Sequence, residues 1–475
     1  MKVYKNLLWN LSLQFVTLGL PLITIPYISR VLGPTGVGIN AYTSSFAQYF
    51  VLVAGLGIGL YGTRQIAESR DNKIELSNQF WRLIVIKITL GLILTGIYFL
   101  LALHSEKYQM FYAGQSLTLF ATIVDVTWFF QGIELFRTTV LRNVFMRLIS
   151  TICIFLLVKT PSDTLIYIII SSGSTLLANV ILWFGIRRHV SFTFPFKLHD
   201  IFNDLKGAIS LFIPQVATQI YYPISKMLIG LLIGVQASGF FENSDKIIKV
   251  IVGIITSFST VFLPHITHFF ANGETKKIKE SFYNSFHIIV FAGLGLTGLM
   301  IVNAPQFCIW FFGNKFANVG ELMQTEAAVI FFIAVSNTIG YQYLIPTGQV
   351  RQYNIGVIIG SMLNIILDIP LILLYGVLGA MVATVISEFV VVIILVRMLR
   401  SAFEYKMLFV ENIKYLIAFA GSIIFAQFAV QVMKSSSIFL SLISVSLVSL
   451  VSYSILIIVL KPKILVKAIK YVLKL

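Results

Sequence analysis

Apolar residues fall in long runs along the whole chain, and polar positions are swept into the short stretches between them. Crossing a bilayer as a helix takes about 20 residues, and fourteen runs of that order can be counted. Six precede a polar stretch near residue 190, at 6–29, 39–62, 83–103, 110–133, 140–158 and 164–186. Six follow it, at 208–233, 240–270, 283–303, 322–345, 355–375 and 378–398, and two more lie at 413–433 and 438–460. The pattern predicts an all-α polytopic membrane protein. Its expected organisation is a six-helix bundle over 1–190, a cytoplasmic linker over 191–206, a second six-helix bundle over 207–400, two helices over 401–460 and a tail over 461–475. The eighth run is too long for a simple crossing, so its first turns are expected to project outside.

The seventh run breaks the apolar pattern. It carries Pro214, Pro223, the pair Tyr221 and Tyr222, and Lys226 well inside it. A cation in hydrocarbon costs about 2.5–3.5 kcal/mol on insertion scales, so it is kept where it meets water, a partner or a ligand. Proline frees backbone carbonyls, which a membrane tolerates only against protein or a wet cavity. This run is therefore expected to line a cavity that accepts something anionic. The end of the first run, Pro26 to Gly33, reads similarly to Pro223 through Gly230: proline, then Ile-Ser-cation, then glycine. Six runs separate the two copies, so they point the same way, as in a parallel repeat.

Composition sharpens the class. Hydrophobic residues make up 57% and charged residues 11%, with a mean hydropathy of +0.90, far from the roughly 25% charged of soluble domains. A net charge of +16 raises nucleic acid as a partner, but the placement of the cations argues for topology instead. With the N-terminus inside, cytoplasmic stretches and the inner ends of the spans collect 26 of the 35 Lys and Arg residues, which gives both termini cytoplasmic. The tail spaces Lys463, Lys467, Lys470 and Lys474 as the polar face of an amphipathic helix on an anionic leaflet. Cys153 and Cys308 suggest neither a disulfide framework nor a metal site, and no cleavable signal peptide is evident.

Catalytic signatures are missing from the sequence. There is no P-loop, so ATP hydrolysis would need a separate protein. No loop is long enough for a catalytic domain, and no two carboxylates are placed for acid–base work on sugars. His265 and His268 lack a third ligand candidate. The chain is expected to be no enzyme and to carry no cofactor or metal.

Several segments resemble a known family. Tyr27-Ile28-Ser29-Arg30-Val31-Leu32-Gly33-Pro34-Thr35-Gly36-Val37-Gly38 and Tyr61-Gly62-Thr63-Arg64-Gln65-Ile66-Ala67 look like signatures of polysaccharide transporters in the multidrug/oligosaccharidyl-lipid/polysaccharide (MOP) exporter superfamily. The most specific piece is Asp125-Val126-Thr127-Trp128-Phe129-Phe130-Gln131-Gly132-Ile133-Glu134. Phe240 to Ile247, Asn364 to Leu367 and Ala383 to Glu388 add to it. The resemblance implies two six-helix bundles in a V around a central cavity, with two outer helices. It also implies a flippase for undecaprenyl-diphosphate-linked oligosaccharide repeat units in the bacterial plasma membrane, serving capsule, exopolysaccharide or O-antigen assembly. Membrane lipids and polysaccharide assembly proteins such as a repeat-unit polymerase are the partners it implies. Relatives often have an acid before the seventh-helix lysine where this chain has Ser225, so coupling through an acid there is not expected. The alternative is a Na⁺- or H⁺-coupled multidrug exporter of the same superfamily.

Such a substrate calls for fixed cations and a surface that tolerates sugars. Arg30, Arg64, Lys226 and Lys246 are the candidate diphosphate contacts, and Tyr221 and Tyr222 can stack on sugars. Each cation has a plainer reading. Lys226 lies roughly 10 Å from the outer end of its helix and can snorkel, Arg30 can anchor at the interface, and topology accounts for Arg64. Lys246 and Lys249 can neutralise Glu242 and Asp245 one turn away. Lys87 and Arg147 are expected to snorkel. Asp125 either pairs with a buried arginine or binds H⁺ or Na⁺ as a coupling site.

Overall fold

The computed structural model describes residues 2–192, 197–219, 221–261, 263–432, 437–463 and 465–466. Every regular element among them is helical, and they divide into two compact units, Met1–Gly239 and Phe240–Leu475.

The first unit opens with α1 (Lys2–Gly55), which runs through the first predicted span and most of the second. The two halves join at Gly33, whose φ of 68° is left-handed and suits glycine alone, with Pro34 directly after it. There follow α2 (Ile58–Ser69), α3 (Lys73–Leu103), α4 (Gln109–Ile123), α5 (Thr127–Gly132), α6 (Phe136–Leu157), α7 (Thr164–Ile186), α8 (Leu198–Gln219) and α9 (Tyr221–Leu232). Local signals set several boundaries. Leu56 and Gly57 both take positive φ and turn the chain from α1 into α2. Asn72 caps α3 by accepting hydrogen bonds from the Ile74 and Glu75 amides.

The helix α10 (Val235–Val261) leads into the second unit. It is followed by α11 (Leu263–Ala271), α12 (Thr275–Phe312), α13 (Val319–Glu326), α14 (Ala328–Ile339), α15 (Val350–Tyr375), α16 (Val377–Met398), α17 (Tyr405–Phe409), α18 (Asn412–Val432) and α19 (Ile438–Leu460). A π turn at Gly340–Leu344 extends α14.

All fourteen predicted runs are helical, but ten helical stretches among the described residues are long and apolar enough to cross a membrane. The difference arises at four places. The first two runs are merged across the Gly33 kink. The fourth is broken between α4 and α5, and the seventh contains Ile220, which lies outside the described residues. The eighth contains Phe262, which also lies outside the described residues, and α10 carries Glu242, Asp245, Lys246 and Lys249. The predicted amphipathic tail lies mostly outside the described residues.

Each unit has its own core. In the first, Phe80, Trp128, Phe129 and Phe130 are almost fully buried where α3 meets α5. In the second, Phe282, Phe286 and Tyr415 play that part among α12, α16 and α18. Bulky aliphatic side chains such as Leu100 on α3 and Leu373 on α15 are instead more than half exposed, as suits faces turned to lipid.

The segment after the kink packs unusually closely on the end of the first unit. A Cβ on Gly38 would collide with the Val235 carbonyl, and one on Gly239 with the Pro34 carbonyl and Gly38. Main chain meets main chain here, which only glycine permits.

The chain is held at Ser191, between α7 and α8, and again at Asp204. The Trp81 indole donates to the Ser191 carbonyl at 3.1 Å, and Ser77 Oγ accepts from the Ser191 amide at 3.0 Å. On α8, the buried Asp204 carboxylate accepts from Tyr61, Gln79 and Arg82, each at 2.9 Å. The first turns of the seventh predicted span are thereby fixed to α2 and α3.

Candidate functional site

The two Ile-Ser-cation stretches lie on α1 and α9, which pack together in the first unit. Ser29 and Ser225 are buried at 1% and 3% exposure, whereas Arg30 is exposed and Lys226 partly so. Each proline-linked turn thus buries its serine and directs its cation outward. The glycines differ: Gly33 is left-handed, while Gly230 is helical and lies against the Tyr42 ring. The Ser238 hydroxyl donates to the Lys226 carbonyl at 2.8 Å, tying α9 to the start of α10. The side chains of Tyr221 and Tyr222 lie outside the described residues.

Arg64 projects from α2 with its side chain 70% exposed, and its Nε lies 2.8 Å from Glu68 Oε1. One turn further, Arg70 reaches Glu134 at 2.7 Å, bracing α2 against the α5–α6 turn.

The motif around Asp125 marks the break in the fourth span. Asp125 Oδ1 accepts from the Thr127 amide at 3.0 Å and from its hydroxyl at 2.5 Å, an Asx turn that restarts the helix as α5. Breaking a helix frees carbonyls, and side chains from neighbouring helices satisfy them. Lys87 Nζ donates to the Asp125 carbonyl at 2.6 Å, and the Trp183 indole donates to Val124 at 2.7 Å. Asn179 donates to Ala121 at 2.8 Å.

Two cations converge on this break. Lys87 Nζ stands 3.6 Å from Asp125 Oδ2, and the lysine side chain is 3% exposed. The expectation that Lys87 snorkels is therefore wrong: the freed carbonyl and the carboxylate hold it inside. Arg142 on α6 is also buried. It donates to the Ala178 carbonyl at 2.9 Å, to Asn179 Oδ1 at 2.7 Å and to Thr127 Oγ1 at 3.3 Å. Asp125 thus pairs directly with a lysine, and with the buried arginine only through Thr127. About a third of the Asp125 side chain stays exposed.

In the second unit both pairs on α10 form, Lys246 with Glu242 at 2.8 Å and Lys249 with Asp245 at 2.7 Å. Both acids are under a tenth exposed and both lysines about a third. Between them Ser244 donates to the buried Glu326 at 2.6 Å. On α15, Asp368 is fully buried, and the neighbouring Asn364 donates to Thr384 at 3.4 Å. Neither Asp368 nor Glu326 is among the residues that the sequence singles out.

Among the described residues, no three His, Cys, Asp or Glu side chains are grouped to hold a metal. His268 bonds Asn272 at 3.1 Å, and the side chain of His265 lies outside the described residues.

These features define an all-helical, multi-pass membrane protein with polar networks and cations built into its spans. Its fold is that of MOP-superfamily transporters. It superposes on a lipid II flippase MurJ in an inward closed conformation with a TM-score of 0.76 and 16% identity, covering 95% of this chain and 98% of that one. A multidrug resistance MATE family transporter of the MOP superfamily, inward-facing, matches with a TM-score of 0.63 at 16% identity, over 82% and 94%. The profile of the polysaccharide biosynthesis protein family matches residues 3–270, more than half the chain. The chain belongs to that family. It is also similar to a putative O-antigen transporter of Shigella dysenteriae, 22% identical over 82% of this chain and 98% of that one. A putative O-antigen transporter of Escherichia coli K12 is 23% identical over 84% and 96%.

Proposed function

We propose that this protein is a flippase that moves undecaprenyl-diphosphate-linked oligosaccharide repeat units from the cytoplasmic to the outer face of the bacterial plasma membrane. The products would feed capsule, exopolysaccharide or O-antigen assembly. The observation that carries the reading is membership of the polysaccharide biosynthesis family, joined to the O-antigen transporter relatives aligned over most of the chain. The working cycle is alternating access of two helix bundles divided near residues 191–206, with both termini cytoplasmic. The chain acts as a carrier, not an enzyme, and passes its cargo to assembly proteins such as a repeat-unit polymerase.

Arg30 and Lys226 are the diphosphate contacts, with Tyr221 and Tyr222 stacking on the sugars. Arg64 and Lys246 serve as exchange points. An exposed ion pair such as Arg64–Glu68 is worth about 0–1 kcal/mol, so Arg64 can transfer to an arriving phosphate at small cost. Lys246 is partly exposed, but drawing it from the buried Glu242 costs more than opening an exposed pair, so a phosphate must compensate that acid's lost partner. Asp125, bonded to Thr127 and Lys87, is better suited to holding the helix break than to binding a coupling ion. The drug-exporter alternative has only the shared fold behind it, and efflux assays under an ion gradient address it directly.

Removing the protein should strand labelled lipid-linked repeats on the cytoplasmic face. Normal arrival at the outer face in its absence would sink the proposal. Arg30→Ala and Lys226→Ala proteins should reach the membrane folded and transport poorly, and normal activity in both would reduce these residues to interface anchors.

A further inference from the structure

Three span ends meet beside α17. The helix α16 ends at Met398, α18 begins at Asn412, and α19, packed along α18, ends at Leu460. The segment joining them is fixed from several sides. The Glu404 amide donates to the Tyr283 hydroxyl at 2.9 Å, and the Tyr405 hydroxyl donates to the Val396 carbonyl at 2.9 Å. His287, fully buried on α12, bonds the Met407 carbonyl at 3.0 Å and Tyr415 at 3.2 Å. The turn after α19 is fixed as well. The buried Glu411 carboxylate accepts the Lys463 amide at 2.6 Å, and Lys414 donates to the Lys461 carbonyl at 3.3 Å. Leu465 then inserts into the core with Leu408 and Phe403.

A segment anchored this firmly should turn its apolar side chains inward, yet several point out. Phe403 and Leu408 face the core, but Met407, Phe409, Val410 and Ile413 are exposed, Ile413 by 65%. Val466, just after the last span, is exposed as well. Arg397, Arg400, Lys406, Lys461 and Lys463 are exposed too, and Glu404 is the one exposed acid in residues 397–414 and 461–466. Exposed apolar side chains bordered by cations on a rigid support match the boundary between acyl chains and anionic headgroups.

We propose that α17 and the turn after α19 form a preformed binding surface for anionic phospholipids, with the lysines and arginines on the lipid phosphates and Met407, Phe409, Val410 and Ile413 in the acyl region. The surface is independent of what the protein carries across the membrane. Its occupant is the lipid surface rather than an acidic protein, because a soluble acidic partner would leave the four apolar side chains uncovered. Glu411 is a positioning residue, holding Lys463 and the turn in place.

The test uses the full chain in a neutral detergent, with thermal unfolding followed as phosphatidylglycerol or phosphatidylcholine is added. Phosphatidylglycerol should raise the midpoint by a few degrees, as expected of a ligand that binds the folded state, and phosphatidylcholine should not. The preference should vanish in Lys406→Gln/Lys461→Gln/Lys463→Gln and persist in Lys276→Gln/Lys277→Gln/Lys279→Gln, which removes equal charge elsewhere. Should the first triple variant fail to fold, Lys406→Gln alone should weaken the preference. Equal shifts with both lipids, equal loss in both triple variants, or the same shift from inorganic phosphate would overturn the proposal.

Discussion

Asp125 shows how one carboxylate can hold a break in a membrane helix. Its Oδ1 restarts the chain through Thr127, its carbonyl accepts from Lys87, and its Oδ2 faces the lysine charge. Removing the acid leaves Lys87 buried with its charge uncompensated, a loss of about 3–5 kcal/mol when one partner of a buried pair is deleted. Asp125→Ala should therefore lower the unfolding midpoint in detergent strongly. Adding Lys87→Met to it should cost little more or restore part of the loss. Strictly additive effects would show that the two side chains are not coupled. The Asp-Val-Thr run was visible in the sequence as a motif. Its partners were not, because Lys87 and Arg142 come from other helices and their spacing along the chain carries no trace of the contact.

At the scale of elements, the helical runs were legible because lipid imposes length and apolarity on every span. The breaks were less so. Proline marked α1, yet the turn itself rests on Gly33, and the α4–α5 break has neither proline nor glycine at 124–126. The anchoring of Asp204 leaves no mark along the chain, because Asp204, Tyr61, Gln79 and Arg82 come from three separate segments. Glycine gives the sharpest test at this scale. Gly239 meets the backbone of the segment after Gly33, whereas Gly96 on α3 has open space where a Cβ would go. Gly239→Ala should destabilise by about 1–3 kcal/mol through overpacking. Gly96→Ala should be neutral or stabilise by up to about 1 kcal/mol through helix propensity. Equal effects on the thermal midpoint would count against a main-chain contact at Gly239.

For the whole molecule, composition and the count of apolar runs gave the class, and motif resemblance gave the family. Which residues meet cargo was less legible, because cations that bind phosphate and cations that fix topology are the same residue types at the same membrane depth. The longest helix after α1 bears on that topology. At 1.5 Å per residue the 38 residues of α12 span about 57 Å, against about 40–45 Å for a bilayer with its headgroups. An upright helix of that length outreaches the bilayer, and its first turns carry the exposed Lys276, Lys277 and Lys279. Those amines form a natural one-sided reporter. A membrane-impermeant amine reagent should modify them in inside-out vesicles and miss them in sealed, right-side-out cells. Labelling from the outside would invert the orientation of every span, and with it the direction in which the protein is loaded.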